Sequence, residues 1–217
     1  MTNREVIDKT AEHVREALGG EASGHDWWHV YRVWKSALHI AEGERADMFV
    51  VELAALLHDI ADYKSHGGDD TVGPRVAREW LEGQGVDEET MAHVCSIVSG
   101  ASFSSSKWKS GVTTIEGMIV QDADRLDAMG CIGIARTFAY GGNKGRILYD
   151  PDIKPQLHES FEQYKNNNGP SVNHFYEKLL LLKDLMNTDT GKAMARKRHD
   201  RMEEYLKNFF DEWEGAS

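Results

Sequence analysis

Two residues able to bind a metal or move a proton stand side by side in "LLHDIADYK", where His58 and Asp59 directly follow two leucines. Consecutive helical side chains diverge by roughly 100° about the axis. The pair therefore converges on one ion only if that ion lies beside the helix between the two directions. Asp62 follows His58 by four residues, which puts its carboxylate on the same face as the imidazole. A His-Asp dipeptide is also how a helix end with purely local hydrogen bonds reads, and alone it is open to that reading. Two other segments bear on it. "GHDWWHVYRV" places His29 one turn inside a helix between apolar neighbours, and "VQDADRLDAMG" carries Asp122, Asp124 and Asp127 through an otherwise apolar run. Three carboxylates there are costly unless something positive compensates them, and a divalent cation would do so. Two histidines with two carboxylates form a nitrogen–oxygen donor set suited to manganese, iron, cobalt, nickel or zinc, with positions left for water or substrate.

The elements that must position these groups read as helices. Residues 5–18 carry Val6, Thr10, Val14 and Leu18 on one face and stop at Gly19-Gly20. Asp26 can cap a second helix whose stripe runs Val30, Val33, Trp34, Ala37, Leu38 and Ala41. Asp47 opens a third, with Val50, Leu53, Ala54, Leu57 and Ile60 as its core stripe. Residues 72–82 start near Pro74 and end at Gly83, and Asp87 precedes a fifth helix through Met91, Val94 and Val98. The periodicity predicts one long helix over 114–139, bent by late glycines, then helices near 155–165, 172–187 and 190–213. "GRILYD" is the only stretch that suggests a short strand or hairpin. The expected class is all-α, with eight or nine helices in a single domain over 1–217. The motif region spans about 24–130, and the C-terminal helices of about 155–213 pack on it.

Charge and composition narrow the partners. Lys and Arg total 25 against 36 Asp and Glu, a formal net charge of −11, which argues against a broad nucleic-acid surface. One small anionic ligand remains compatible, since a metal and a few local cations reverse the potential inside a cleft. No apolar run approaches a membrane span, and the N-terminus is polar, so neither bilayer insertion nor export is expected. The two cysteines, Cys95 and Cys131, fit a reducing cytoplasm.

In their order and spacing, His29, then His58-Asp59, then Asp124 resemble the H…HD…D signature of the HD-domain metal-dependent phosphohydrolases. The stretches "HDWWHVYRV", "LLHDIADYK", "DADRLDAMGCIGIARTFAYGG" and "HFYEKLLLLKDLMNT" are similar to the bacterial YpgQ- and YedJ-like branch, over about residues 24–200. The resemblance implies a helical HD domain and one divalent metal held by His29, His58, Asp59 and Asp124. Manganese comes first for the metal, with nickel, cobalt, iron, zinc or magnesium as alternatives. It implies that Asp62 positions or deprotonates the attacking water, a role its place one turn after His58 suits. Asp127 then falls behind the ligands, orienting one of them, and His25 serves as a cap or a similar support. His93 and His66 are the only histidines that a second metal would use, and one metal is expected.

The implied chemistry is hydrolysis of a nucleotide, most concretely a (d)NTP split to monophosphate and pyrophosphate. A 5′-nucleotidase or phosphodiesterase on the same scaffold, or a non-catalytic nucleotide-binding module, are the alternatives, and a homodimer is compatible with the amphipathic C-terminal helix. Negative charge developing on phosphorus needs cations besides the metal. The candidates are Arg32 one turn after His29, Lys64 and His66 just after the motif, and Lys144 and Arg146 in "GGNKGR".

Overall fold

Thr2 and Glu5 start the chain with a reciprocal cap. The Thr2 hydroxyl accepts from the Glu5 N–H at 3.3 Å, and the Glu5 carboxylate accepts from the Thr2 N–H at 2.8 Å. Helix α1, Asn3–Ala17, follows. The computed structural model describes residues 1–19, 26–61, 69, 71–101, 112–157 and 169–216. Helix α2, Trp27–Ala41, begins at Asp26 and α3, Met48–Leu57, at Asp47, as the capping residues predict. Helices α4, Val72–Gly83, and α5, Glu88–Ala101, follow; Pro74 sits in the first turn of α4, where its missing N–H costs nothing. The later elements are α6, Ile115–Asp127; α7, Gly130–Asn143; α8, Asn173–Glu177; a 3₁₀ segment, Leu179–Leu185; and α9, Asp189–Trp213. Among the described residues there is no strand. The protein is all-α, as the periodicity implied. No helix among them is long and apolar enough to cross a membrane.

The residues gather into two compact units, Met1–Asp124 and Arg125–Ser217, the division falling inside α6. In the first unit α3 is central. It packs against α1, α2 and α5, and α4 packs on α5. Every residue from Val50 to Leu57 is buried, and each buried Leu or Val stabilises by about 1.5–3 kcal/mol relative to exposure. In the second unit α9 packs against α7 and the 3₁₀ segment. Phe175 is fully buried there, its ring 6.0 Å from those of Phe138 and Tyr205.

Several expected elements differ. The helix expected over 114–139 is two: α6 ends in the bonds Ala128 N–H to Arg125 O and Met129 N–H to Leu126 O. Gly130 then takes φ +66°, a left-handed conformation that glycine adopts without strain. The helix expected over 172–187 is α8 plus the 3₁₀ segment, separated by Lys178 at φ −146°, ψ −57°. Leu179 and Leu182, three apart, are both buried, and a three-residue period stacks such positions on one face. "GRILYD" forms no strand, yet Ile147 O and Leu148 O accept from the N–H groups of Ser171 and Val172 at 3.0 and 3.1 Å. Of the helix expected near 155–165, residues 158–165 lie outside the described residues.

Candidate metal centre

The site belongs to the first unit and is built from α2, the end of α3 and α6. Asp26 Oδ1 accepts from the backbone N–H of His29 at 2.9 Å, which fixes the first turn of α2 around that residue. His29 faces inward with Val30 and Val33 and is 3% exposed. Helix α3 ends at Leu57, so its last carbonyls lack helical N–H partners. His58 Nδ1 meets one of them, Ala55 O, at 2.8 Å. A carbonyl can only accept, so Nδ1 carries the proton and His58 Nε2 presents a lone pair, the tautomer a metal ligand needs. On α6, Asp124 stands between buried Ala123 and Leu126 with part of its side chain exposed.

These side chains converge. His58 Nε2 lies 3.3 Å from His29 Nε2. Asp59 Oδ2 is 3.4 Å from His29 Nε2 and 3.6 Å from His58 Nε2, and Asp124 Oδ1 is 3.5 Å from His29 Nε2. None of the four gaps closes to the roughly 2.9 Å of an N–H···O bond, and one proton on His29 cannot serve three neighbours at once. Donors about 2.1 Å from a shared divalent ion sit about 3.0 Å apart at right angles and about 3.4 Å apart at tetrahedral angles. The observed spacings have that character, and His29, His58 and Asp59 form a group that could hold a metal ion. The imidazoles are buried, whereas the Asp59 and Asp124 side chains are 21% and 31% exposed. The open side is therefore the carboxylate side.

The sequence alone left unsettled how consecutive His58 and Asp59 reach one point. Residues 58–61 form a turn, yet His58 keeps helical backbone angles, φ −58° and ψ −30°, so the pair meets at a point between the two side-chain directions, where His29 Nε2 lies 3.3 Å from His58 Nε2 and 3.4 Å from Asp59 Oδ2.

The remaining sequence candidates are placed as follows. Arg32 is half-buried on α2, and Asp122 is fully buried on α6. Asp127, in the second unit, accepts from Arg136 Nη1 at 2.8 Å. Lys144 and Arg146 belong to that unit too, each with its cation within 6 Å of the Tyr140 ring centroid, at 5.7 and 5.6 Å. His25, Asp62, Lys64 and His66 lie outside the described residues. His93 Nε2 sits 3.0 Å from Thr114 Oγ1 and 3.6 Å from Glu116 Oε2, at the start of α6. Glu116 also accepts from the Asp47 N–H at 2.9 Å, tying the start of α3 to α6. Sequence reasoning passed over Glu116 and likewise Glu52, although a lone acid in the apolar run "MFVVELAALL" was a readable signal.

In the second unit His174 has its pKa pushed down to about 3, first by burial and then by the charges of Lys178 and Arg146. In the unfolded chain it titrates near 6.5, so between those values the unfolded state binds more protons and stability falls as pH drops. Above 6.5 the contribution is flat. Relative to His174→Gln, the wild type should lose about 1.4 kcal/mol of stability per pH unit between pH 6 and 4. Urea unfolding of both proteins across that window measures it, and parallel curves would refute it.

Comparison with known proteins follows the same lines. Residues 27–129 match the HD domain family, a span that holds all four converging side chains. Bacillus subtilis YpgQ, whose name calls it uncharacterised, is 41% identical over 206 residues, covering 92% of this chain and 91% of that protein. The crystal structure of an HD-superfamily hydrolase from Bacillus thuringiensis is 46% identical, with TM-score 0.80, covering 98% of this chain and 99% of that one. The crystal structure of YpgQ in complex with ADP superposes with TM-score 0.76 and 36% identity, over 98% of this chain and 97% of that one.

Proposed function

The chain belongs to the HD-domain family, and from that premise we propose that it is a metal-dependent phosphohydrolase that splits nucleoside triphosphates into monophosphate and pyrophosphate. One observation carries the reading: donor atoms of His29, His58, Asp59 and Asp124 meet within 3.3 to 3.6 Å gaps. That set fits a divalent ion, manganese first, because it joins two imidazole nitrogens to two carboxylates and leaves an open side. A divalent ion held there supplies Lewis acidity and a water of lowered pKa.

The chain's own residues supply the rest. His29 and His58 orient through their backbone and carbonyl partners, and Asp59 and Asp124 bring the negative charge that balances the cation. Asp62, four residues after His58 in the chain, accepts the proton of the attacking water, and Arg32 and Lys64 neutralise phosphate oxygens. The nucleotide assignment is supported by ADP being the molecule bound in the YpgQ crystal structure.

The test is product analysis. Purified protein with Mn²⁺ is offered a panel of nucleotides and followed by phosphorus NMR. Pyrophosphate together with a monophosphate is expected from a triphosphate. Inorganic phosphate, or a product from monophosphates or cyclic phosphodiesters, would overturn the bond assignment. Bound nucleotide without any product would overturn the enzymatic reading.

A further inference from the structure

Glu52 is the only charged residue of α3 and is 9% exposed, surrounded along the helix by buried Val, Leu and Ala. Its Oε2 accepts from the indole N–H of Trp34 at 2.9 Å. Trp34 is on α2 and is itself buried. Burying a carboxylate is expensive, and an apolar residue of similar size commonly serves stability as well or better. The pair therefore needs another explanation than stability.

Register supplies one. From Val50 to Leu57 α3 is buried on every side, so hydrophobic burial discriminates weakly among its rotations about the axis. A slip of one residue turns the helix by about 100° and moves it by about 1.5 Å. His58 Nε2 and Asp59 Oδ2 lie 3.3 and 3.4 Å from His29 Nε2, so such a slip would separate them from it. Trp34 sits on the same helix as His29, and Glu52 on the helix that leads into His58.

We propose that the Trp34–Glu52 hydrogen bond is a positioning contact that sets α3 against α2, and so holds His58 and Asp59 in reach of His29. The inference rests on the metal reading of this site. The contact touches no ligand; it acts through the relative placement of the two helices.

The test uses the full chain and Mn²⁺ alone, titrated with the EPR signal of the free ion, beside metal-free thermal melting. Glu52→Leu should remain folded, with a melting temperature close to the wild type, and bind Mn²⁺ about tenfold more weakly. Glu52→Gln, whose amide oxygen still accepts from the indole, should stay within about twofold of the wild type. A folded Glu52→Leu with wild-type Mn²⁺ affinity overturns the proposal, as does Glu52→Gln binding as weakly as Glu52→Leu. Should Glu52→Leu fail to fold, Trp34→Phe decides, because it removes the donor and keeps the aromatic bulk: about tenfold weaker binding supports the proposal, unchanged binding overturns it. A wild-type chain that binds no Mn²⁺ overturns the metal reading itself, a different result from normal wild-type binding with unaffected variants.

Discussion

Asp59→Ala is expected to weaken Mn²⁺ binding by at least about 100-fold while leaving the metal-free fold intact, a larger loss than removal of a residue that merely orients a ligand. Asp59 Oδ2 lies against both histidines, 3.4 Å from one Nε2 and 3.6 Å from the other. Removing it takes away one of the two carboxylates that would bind and balance a cation there. The side chain is partly exposed and sits past the end of α3, so its loss leaves no core cavity. The fold should therefore survive the substitution. Bound metal stabilises by about 2.7 kcal/mol when its concentration is 100 times the dissociation constant. The wild type should accordingly melt higher with Mn²⁺ than without. Asp59→Ala should show almost no such rise, and Asp59→Asn, which keeps an oxygen and loses the charge, should fall between. An Asp59→Ala protein that retains the full metal-dependent rise would remove Asp59 from the site.

That carboxylate is readable in the sequence because its residue type is out of place among its neighbours. A polar pair after two leucines, an inward histidine on an apolar face and acids in an apolar run each cost free energy unless something compensates them. The same logic would have singled out Glu52. The helices and their caps at Asp26, Asp47 and Asp87 were legible for a local reason too, since capping depends on residues three apart.

What the sequence did not reveal was set by tertiary packing. The apolar period runs on through Leu126 and Met129, so it gives no sign that α6 stops at Asp127 and the chain turns at Gly130. In "LLLLKDL" apolar residues occur at spacings of three and four alike, and periodicity cannot choose between 3₁₀ and α geometry. The meeting of His58 and Asp59 is the most consequential case. The sequence requires a common point between two diverging directions, and only the packing of α3 against α2 shows that His29 Nε2 lies there.

Asp62→Ala should separate catalysis from metal binding in a way no ligand substitution can. Asp62 stands four residues after His58 and three after Asp59, close in the chain to two of the converging donors. A positioned general base contributes typically about 10²–10⁴ in rate. The expected kcat loss for Asp62→Ala lies in that range, with Mn²⁺ affinity and the metal-dependent melting rise kept. Asp62→Asn should behave like the alanine variant, because an amide preserves size but cannot take a proton. The contrast with Asp59→Ala is the decisive comparison: one variant loses metal and activity together, the other activity alone. Single-turnover hydrolysis at saturating Mn²⁺, run beside an EPR titration of the same preparation, reads both quantities. If Asp62→Ala turns over at the wild-type rate, the proton leaves by another route. If it instead loses the metal, Asp62 belongs with the ligands, and the general base must be sought among the groups that face the open side of Asp59 and Asp124.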